Sequence, residues 1–571
     1  MNLILSKKKK DLTPSSILKN GNLITDPEQI AETINKYYTN VAPDLVRKLP
    51  KSKSVFSTYL KKMTSPVDSF YCRLTNEEEV GEVIESLNQN KTEDIYRIPI
   101  RVLKDLKEGI SEPLAEIFNT SFSKGVFPDK LKLAKVIPLH KGGDQSTPKN
   151  FRPISILPIF DKILEKLMHS RLISYIKKHK ILNNAQYGFQ KHKSTSMAII
   201  DLLDKVSQSL KNKSFSCCVF LDLAKAFDTV SHEILLKKLE HYGIRGISNN
   251  WFRSYLSNRK QSVSVNNKLS TELPISYGVP QGSILGPLLF ILYINDIIKS
   301  SNKLYFVQFA DDTCLFMKNK NKTTLADEFN SELASVSDWL VSNKLSLNVN
   351  KSNFLFFSNQ RDKEPPELKM QNTVIENKEV VKYLGVLIDN KLKWTQHIKS
   401  ISQKISRGIG ILHSTKFLVP HSILLNLYFA FIQSHLLYGI LAWGSPLSHL
   451  GELNKIVNKA EKIINKYCNS NILHLDQLYQ IESCKLIFKF KHKILPKNIE
   501  QMIKQSNLLH QINTRQADNQ GMFINHINTY FPLKTLSCRF WNVHCHDLFQ
   551  PDSSISSFTK SLKERFLQQD V

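Results

Sequence analysis

Acidic residues are scarce in this chain: 51 Asp and Glu stand against 78 Lys and Arg in 571 residues, a formal net charge of +27. The imbalance favours a polyanionic partner, held by phosphate contacts and the release of their counterions. It is spread over the whole length, which suits basic tracks along folded domains more than a disordered arm. Long apolar runs are absent as well. No stretch of about 18 unbroken apolar residues occurs, so no membrane span is expected. Met1 to Leu5, followed by Lys7 to Lys10, is too short for a secretory signal, and the lysines read either as a nuclear address or as a solvated run. Cysteine is rare: eight residues, several beside apolar neighbours such as Cys217 and Cys218, do not make a disulfide framework, and a reducing, intracellular setting is expected. Cys538, His544, Cys545 and His546 lack the paired spacings of zinc modules, so no zinc is expected. Internal repeats are missing too.

The length allows two to four domains. Residues 1–130 alternate helical patterns, such as Pro27 to Tyr38 and Asn76 to Leu87, with polar loops, and read as an N-terminal helical extension. From Lys135 to Asp389 strands and helices alternate closely, with a loop at Ser358 to Glu367. Beyond His397, Ile398, Ile401, Ile405, Ile409 and Leu412 recur as one buried helix face requires. A second helix over Leu453 to Tyr467 sets Ile456, Val457, Ala460, Ile463 and Ile464 against Lys455, Lys459, Lys462 and Lys466; the lysine stripe is either a solvated face or a phosphate track.

Carboxylates mark the candidate chemistry. The apolar run Cys217 to Leu221 stops at Asp222 and continues to Phe227 and Asp228, the pattern of a buried strand presenting a carboxylate at its end. Leu304 to Ala310 and Thr313 to Met317 are strand-like runs separated only by Asp311 and Asp312, which predicts a tight hairpin with both carboxylates at its tip. Asp-Asp is also an ordinary turn dipeptide. Two such strands side by side would gather oxygen ligands suited to Mg²⁺, and two ions about 3.5–4 Å apart serve in-line phosphoryl displacement.

Those residues resemble a known family. Phe220-Leu221-Asp222-Leu223-Ala224-Lys225-Ala226-Phe227-Asp228 is similar to motif A of non-LTR (LINE-type) retrotransposon reverse transcriptases, Gly278-Val279-Pro280-Gln281-Gly282-Ser283 to motif B, and Phe309-Ala310-Asp311-Asp312 to motif C. Val136 to Lys141 and Asn150 to Ser155 resemble the fingers motifs, and Gln186-Tyr187-Gly188-Phe189 with Lys193-Ser194-Thr195 the segment before motif A. Trp339-Leu340, Asn343 to Leu345, Asn348 and Lys351 resemble motif D, and Tyr383-Leu384-Gly385-Val386 motif E, the primer grip. Each motif alone is weak; their joint order is specific. The Phe-Ala-Asp-Asp form, Asn513-Thr514-Arg515 and Phe540-Trp541-Asn542 look most like the jockey and chicken-repeat lineages.

The resemblance implies an α+β right-hand polymerase: fingers and a palm with an antiparallel sheet over 131–389, a helical thumb over 390–470, and a helical C-terminal region over 471–571. It implies an RNA-directed DNA polymerase with Asp222, Asp311 and Asp312 as catalytic ligands of two Mg²⁺, Mn²⁺ being a possible substitute. Lys351 would protonate the leaving group, unless it is a surface lysine. Lys141 and Arg152 would reach the triphosphate, or else pair with local carboxylates. Phe227 would exclude a 2′ hydroxyl, or is a core aromatic. Gln281 would contact sugar or template. Gly278, Pro280 and Gly282 would bring backbone close to the base pair, with Ser283 capping the following helix. Tyr383, Leu384 and Gly385 would hold the primer. The implied partners are an RNA template, a DNA primer or target and deoxynucleoside triphosphates, with no membrane. The implied setting is target-primed reverse transcription, as a ribonucleoprotein in nucleus and cytoplasm. About 130 residues precede the fingers, too few for the family's endonuclease, so that activity is expected upstream in a longer protein or in trans. A domesticated RNA scaffold and a maturase-like intron protein are the competing readings; the three aspartates and Phe227 oppose the first, and no splicing-associated domain is recognised for the second.

Overall fold

Phe215 to Leu221 contains no charged side chain, and a segment of that kind pays least for complete desolvation; in the structure, a computed structural model, it is a strand buried along its entire length. The structure describes residues 13–19, 21–89, 93–360, 364–446, 448, 450–468, 472–507, 530–545 and 547–569. Lys7 to Lys10, Asn513-Thr514-Arg515, His546 and residues 361–363 of the expected loop lie outside these.

In chain order, the elements used below begin with helix α1 (Pro27–Arg47), strands β1 (Leu133–His140) and β2 (Phe151–Ile156), helices α2 (Ile159–Lys178) and α3 (Thr195–Lys211) and strand β3 (Phe215–Leu221). Strand β4 (Lys260–Val265), helix α4 (Leu285–Tyr293), strands β5 (Tyr305–Phe309) and β6 (Asp312–Asn319) and helix α5 (Lys322–Ser342) follow. Then come β7 (Asn353–Phe357), β8 (Glu376–Asn377), β9 (Val380–Tyr383), β10 (Val386–Asp389), α6 (Thr395–Thr415), α7 (Gly451–Cys468) and α8 (Leu475–Lys491). The chain divides into two compact units, one of Met1–Asn183, Leu223–Asn302 and Ala334–Asn348, the other of Asn184–Asp222, Lys303–Leu333 and Val349–Val571.

In the first unit β1 lies between β2, antiparallel, and β4, parallel. Helix α1 starts at Asp26, whose Oδ2 accepts from the Gln29 N–H at 2.9 Å, and runs through Pro43 to Arg47, well past the expected end at Tyr38. Its Ile30, Ile34 and Tyr38 share one apolar core with Val136, Phe151 and Val263 of the strands. Buried Asn35 fixes the register of that packing: Nδ2 donates to Ser270 Oγ (2.9 Å) and Thr271 O (2.8 Å), and Oδ1 accepts from Gln261 Nε2 (2.9 Å). The segment that reads in sequence as an N-terminal extension thus closes a face of this sheet.

The second unit carries a sheet of order β8-β7-β3-β6-β5, antiparallel except for the β7–β8 pair. Helix α3, capped by Ser194 Oγ on the Met197 N–H, packs Ile199, Leu203 and Val206 into the core of this sheet with Cys218, Phe220, Cys314 and Phe316. The helical periodicity after His397 is realised in α6, where Ile398, Ile401, Ile405 and Leu412 are buried. In α7 Leu453, Val457, Ala460 and Ile464 are buried while Lys455, Lys459, Lys462 and Lys466 stay exposed. The same core continues through α8 to Trp541, Phe558 and Phe566. Among the described residues no helix is long and apolar enough to cross a membrane.

Candidate active site

Strand pairing decides where the carboxylates meet. Strand β3 ends with Leu221 opposite Thr313, so the antiparallel register, continued by one residue, sets Asp222 opposite Asp312. Directly opposed residues of an antiparallel pair project from the same face. Asp222 and Asp312 are exposed and Asp311 is partly so. The Asp222 N–H donates to the buried Ser352 Oγ at 3.1 Å, which ties the end of β3 to the start of β7. Lys351, exposed, closes the 3₁₀ turn Val349–Lys351 immediately before that strand, at the same end of the sheet.

The hairpin is displaced by one residue from its expected position. Asp312 pairs with Phe309, so the two-residue turn is Ala310-Asp311 and Asp312 is the first residue of β6. Ala310 adopts φ +54°, an uncommon conformation for a residue with a Cβ, and its N–H is accepted by the buried Gln186 Oε1. A second two-residue turn in this unit, Leu384-Gly385 between β9 and β10, has φ of +44° and +84°, the pattern of a type I′ hairpin. Tyr438 seals it: its hydroxyl donates to Leu384 O at 2.7 Å, and a Cβ at Gly385 would stand 3.0 Å from its ring. Tyr383 is buried, with its ring 5.1 Å from that of Phe220.

The first unit carries the other candidates. Lys141 and Arg152 are exposed at the β1–β2 hairpin. Phe227, partly exposed, stacks on Phe290 of α4 with ring centroids 4.3 Å apart. Gln281 is committed within the protein: Nε2 donates to Asp228 Oδ1 at 2.7 Å, and its carbonyl accepts from the Ser155 N–H at 2.8 Å. Burial raises the Asp228 carboxyl above its ordinary pKa, while nearby Lys225 and the Gln281 bond pull it back. Tyr38 of α1 is raised by burial and then by Asp228, and Lys225 lies over the rings of Tyr37 and Tyr38. Nothing in the linear sequence shows that Tyr37 and Tyr38 meet Lys225 and Asp228; only Asp228, inside the motif A pattern, stands out there.

The glycines have a concrete cause. At Gly278 (φ +87°) a Cβ would sit 2.8 Å from Asp228 O, and at Gly282 (φ +130°) 2.3 Å from Ser155 O, so backbone passes against backbone at both ends of the loop that holds Pro280. The close approaches seen are to the protein's own chain. Ser283 caps as expected: its Oγ accepts from the Gly286 N–H at 2.9 Å. Buried Glu165 of α2 adds a second acceptor at this helix start, taking the Ile284 N–H at 2.6 Å.

Among the described residues no three His, Cys, Asp or Glu side chains converge into a protein-only metal cage. Asp222, Asp311 and Asp312 offer carboxylate oxygens, the donor chemistry of Mg²⁺, which takes one or two carboxylates and completes its shell with water and substrate phosphates.

Residues 139–388 match the family model described as reverse transcriptase (RNA-dependent DNA polymerase). This part of the chain is similar to reverse transcriptase domains. The chain is 28% identical over 416 residues to a probable RNA-directed DNA polymerase from transposon X-element of Drosophila melanogaster, covering 70% of this chain and 45% of that one. It is 28% identical over 408 residues to the RNA-directed DNA polymerase from mobile element jockey of the same fly (68% and 43%). It is 27% identical over 242 residues to the Pol polyprotein from type-1 retrotransposable element R2 of Popillia japonica (40% and 33%). The chain spans less than half the length of these relatives.

Proposed function

We propose that the chain is an RNA-directed DNA polymerase that extends a DNA 3′ end on an RNA template, in target-primed reverse transcription of a retrotransposon. The observation that supports this best is the β3–β6 register, which brings Asp222, from one motif, to the sheet end where Asp311 and Asp312, from another about ninety residues away, sit. In this reading residues 131–389 are fingers and palm, 390–470 the thumb and 471–571 a helical C-terminal region.

Asp222, Asp311 and Asp312 would hold two Mg²⁺, or Mn²⁺ in their place, which supply activation of the 3′ hydroxyl and charge neutralisation at the leaving pyrophosphate. Lys141 and Arg152 bind the triphosphate of the incoming deoxynucleotide, a point charge and a bidentate fork respectively. Phe227, braced from behind by Phe290, excludes a 2′ hydroxyl by bulk. Gln281 acts by holding the Gly278–Ser283 loop against Asp228 and Ser155, and Pro280 with the two glycines sets the path of that loop for template contact. Tyr383, Leu384 and Gly385 support the primer end, and Lys351 donates a proton to the leaving group. The nick that provides the primer is made by an endonuclease elsewhere in a longer protein or in trans, and the protein works inside the cell as a ribonucleoprotein.

The test is primer extension on poly(rA)/oligo(dT) with Mg²⁺ by the purified chain and by Asp311→Ala. Incorporation by the wild type alone is expected. Equal incorporation by both would sink the metal assignment, and tight RNA binding with incorporation by neither would favour the scaffold reading.

A further inference from the structure

The Ala310-Asp311 turn is held from a segment with no assigned function. Residues 185–188 run parallel to β5: the Tyr187 N–H donates to Gln308 O at 2.7 Å, and the Gln308 N–H to Ala185 O at 2.8 Å. From that rail Gln186, only 1% exposed, turns its Oε1 to the hairpin tip and accepts two backbone donors, Gly188 N–H at 2.8 Å and Ala310 N–H at 2.9 Å. Its carbonyl in turn accepts from Lys193 Nζ and Gln190 Nε2, each at 2.6 Å. Gly188 completes the contact, since a Cβ there would stand 2.5 Å from Ala310 N. These groups meet at the one residue of the hairpin with a positive φ.

We propose that Gln186 is the positioning residue for the catalytic turn, its side-chain oxygen fixing the positive φ of Ala310 and so aiming Asp311 and Asp312. An alanine held at φ near +54° is costly unless its surroundings determine it. A two-residue hairpin also admits several turn types that would point its second residue differently. A buried amide oxygen can accept two hydrogen bonds at once, and here it spends one on its own segment and one on the turn. A core glutamine satisfying only local backbone would not reach Ala310. The inference rests on the reading of Asp311 and Asp312 as metal-bearing carboxylates.

The test uses the full chain and four variants, Gln186→Met, Gln186→Met with Ala310→Gly, Ala310→Gly alone, and Asp311→Ala. Methionine keeps the volume but cannot replace the oxygen; a drop of about 100-fold in kcat is expected, the scale of a roughly 1 Å misplacement of reacting groups. The Mg²⁺ concentration for half-maximal rate should rise, with the Kd for poly(rA)/oligo(dT) within about twofold, because the phosphate contacts that dominate affinity are untouched. Glycine at 310 tolerates positive φ without help, so the double variant should recover about tenfold relative to Gln186→Met. Wild-type kcat in Gln186→Met, loss of nucleic-acid binding equal to the loss of rate, or no recovery by Ala310→Gly would each overturn the assignment. If Gln186→Met fails to fold, amide exchange on the wild-type protein decides: Ala310, at a hairpin tip, should be protected, and free exchange there would refute the clamp. An active Asp311→Ala would bring down the polymerase-site reading itself; an inactive one beside a normal Gln186→Met removes the clamp alone.

Discussion

The carboxylates of the second unit's sheet and those buried in the first unit are the same chemical group in opposite surroundings. Asp222 and Asp312 are exposed at strand ends, with backbone or neighbouring strands holding their positions. Asp296, Asp161 and Glu165 are fully desolvated. Asp296 pairs with the equally buried Lys238, whose ammonium also donates to Tyr293 O and lies 4.9 and 5.0 Å from the Tyr293 and Trp339 ring centroids. Burial lowers the Lys238 pKa, against the pull of Asp296. Asp161 takes Arg259 at 3.2 Å, and Glu165 takes the Tyr255 hydroxyl and the start of α4. An open carboxylate can exchange water for a cation and a phosphate; a buried one has its partner fixed at folding and serves as architecture.

That contrast can be broken by substitution. The largest expected effect is on rate: Asp222→Ala should cut primer extension by about 10³-fold or more, since it removes a ligand for the charge that develops in the transition state, while a thermal melt moves little. A cooperative loss of fold in Asp222→Ala would show that this carboxylate is architectural too. Asp296→Ala should do the reverse, costing about 3–5 kcal/mol of stability by stranding the buried Lys238 charge, as read from denaturant midpoints. Should it instead melt like the wild type and lose only activity, the division between the two sets is wrong.

Phe227→Ala comes next, with an expected gain of about 10–100-fold in ribonucleotide incorporation relative to deoxynucleotide, the scale set by removing a steric contact from a pocket. Unchanged discrimination would leave Phe227 as a core aromatic stacked on Phe290. The smallest effect concerns Glu79, which lies between the two classes. Burial alone would raise its pKa, but hydrogen bonds from Arg171 and Thr75 and the charges of Arg171 and Arg73 bring it below the ordinary value of 4.5. A lowered folded pKa means stability that is present above about pH 4.5 and lost as pH falls through the depressed value. Glu79→Gln should therefore cost stability at about pH 7, about 1 kcal/mol or less after solvent screening, and nothing at the acid end. A pH-independent difference in unfolding free energy would show that the Arg171 contact is packing alone.

Much of the site is legible in the linear chain. An apolar run stopping at Asp222, an Asp-Asp pair between two strand patterns, the glycines of the Gly278–Ser283 loop and the capping serine are local signals, and local signals survive in a linear reading. The one-residue displacement of the hairpin has the same origin. Asp-Asp looks like a turn by composition, but the register with β5 and the Gln186 acceptor place the turn at Ala310-Asp311. Gln281 reads as a sugar or template contact by its place in the motif, while nothing near it in sequence reveals its bond to Asp228, fifty-three residues away.

What the sequence determined by itself was therefore the inventory: a basic chain, motifs in an order that resembles polymerases, a buried strand that ends in a carboxylate, and the amphipathic helices α6 and α7, the last two set by periods of about two and 3.6 residues. The tertiary structure alone decided which acidic residues are exposed and which are locked to a cation, that α1 closes the β2-β1-β4 sheet, and that Gln186 reaches the Ala310-Asp311 turn. The reason is that strand register and desolvation are properties of pairs distant in the chain, and no single residue carries them until the pair has formed.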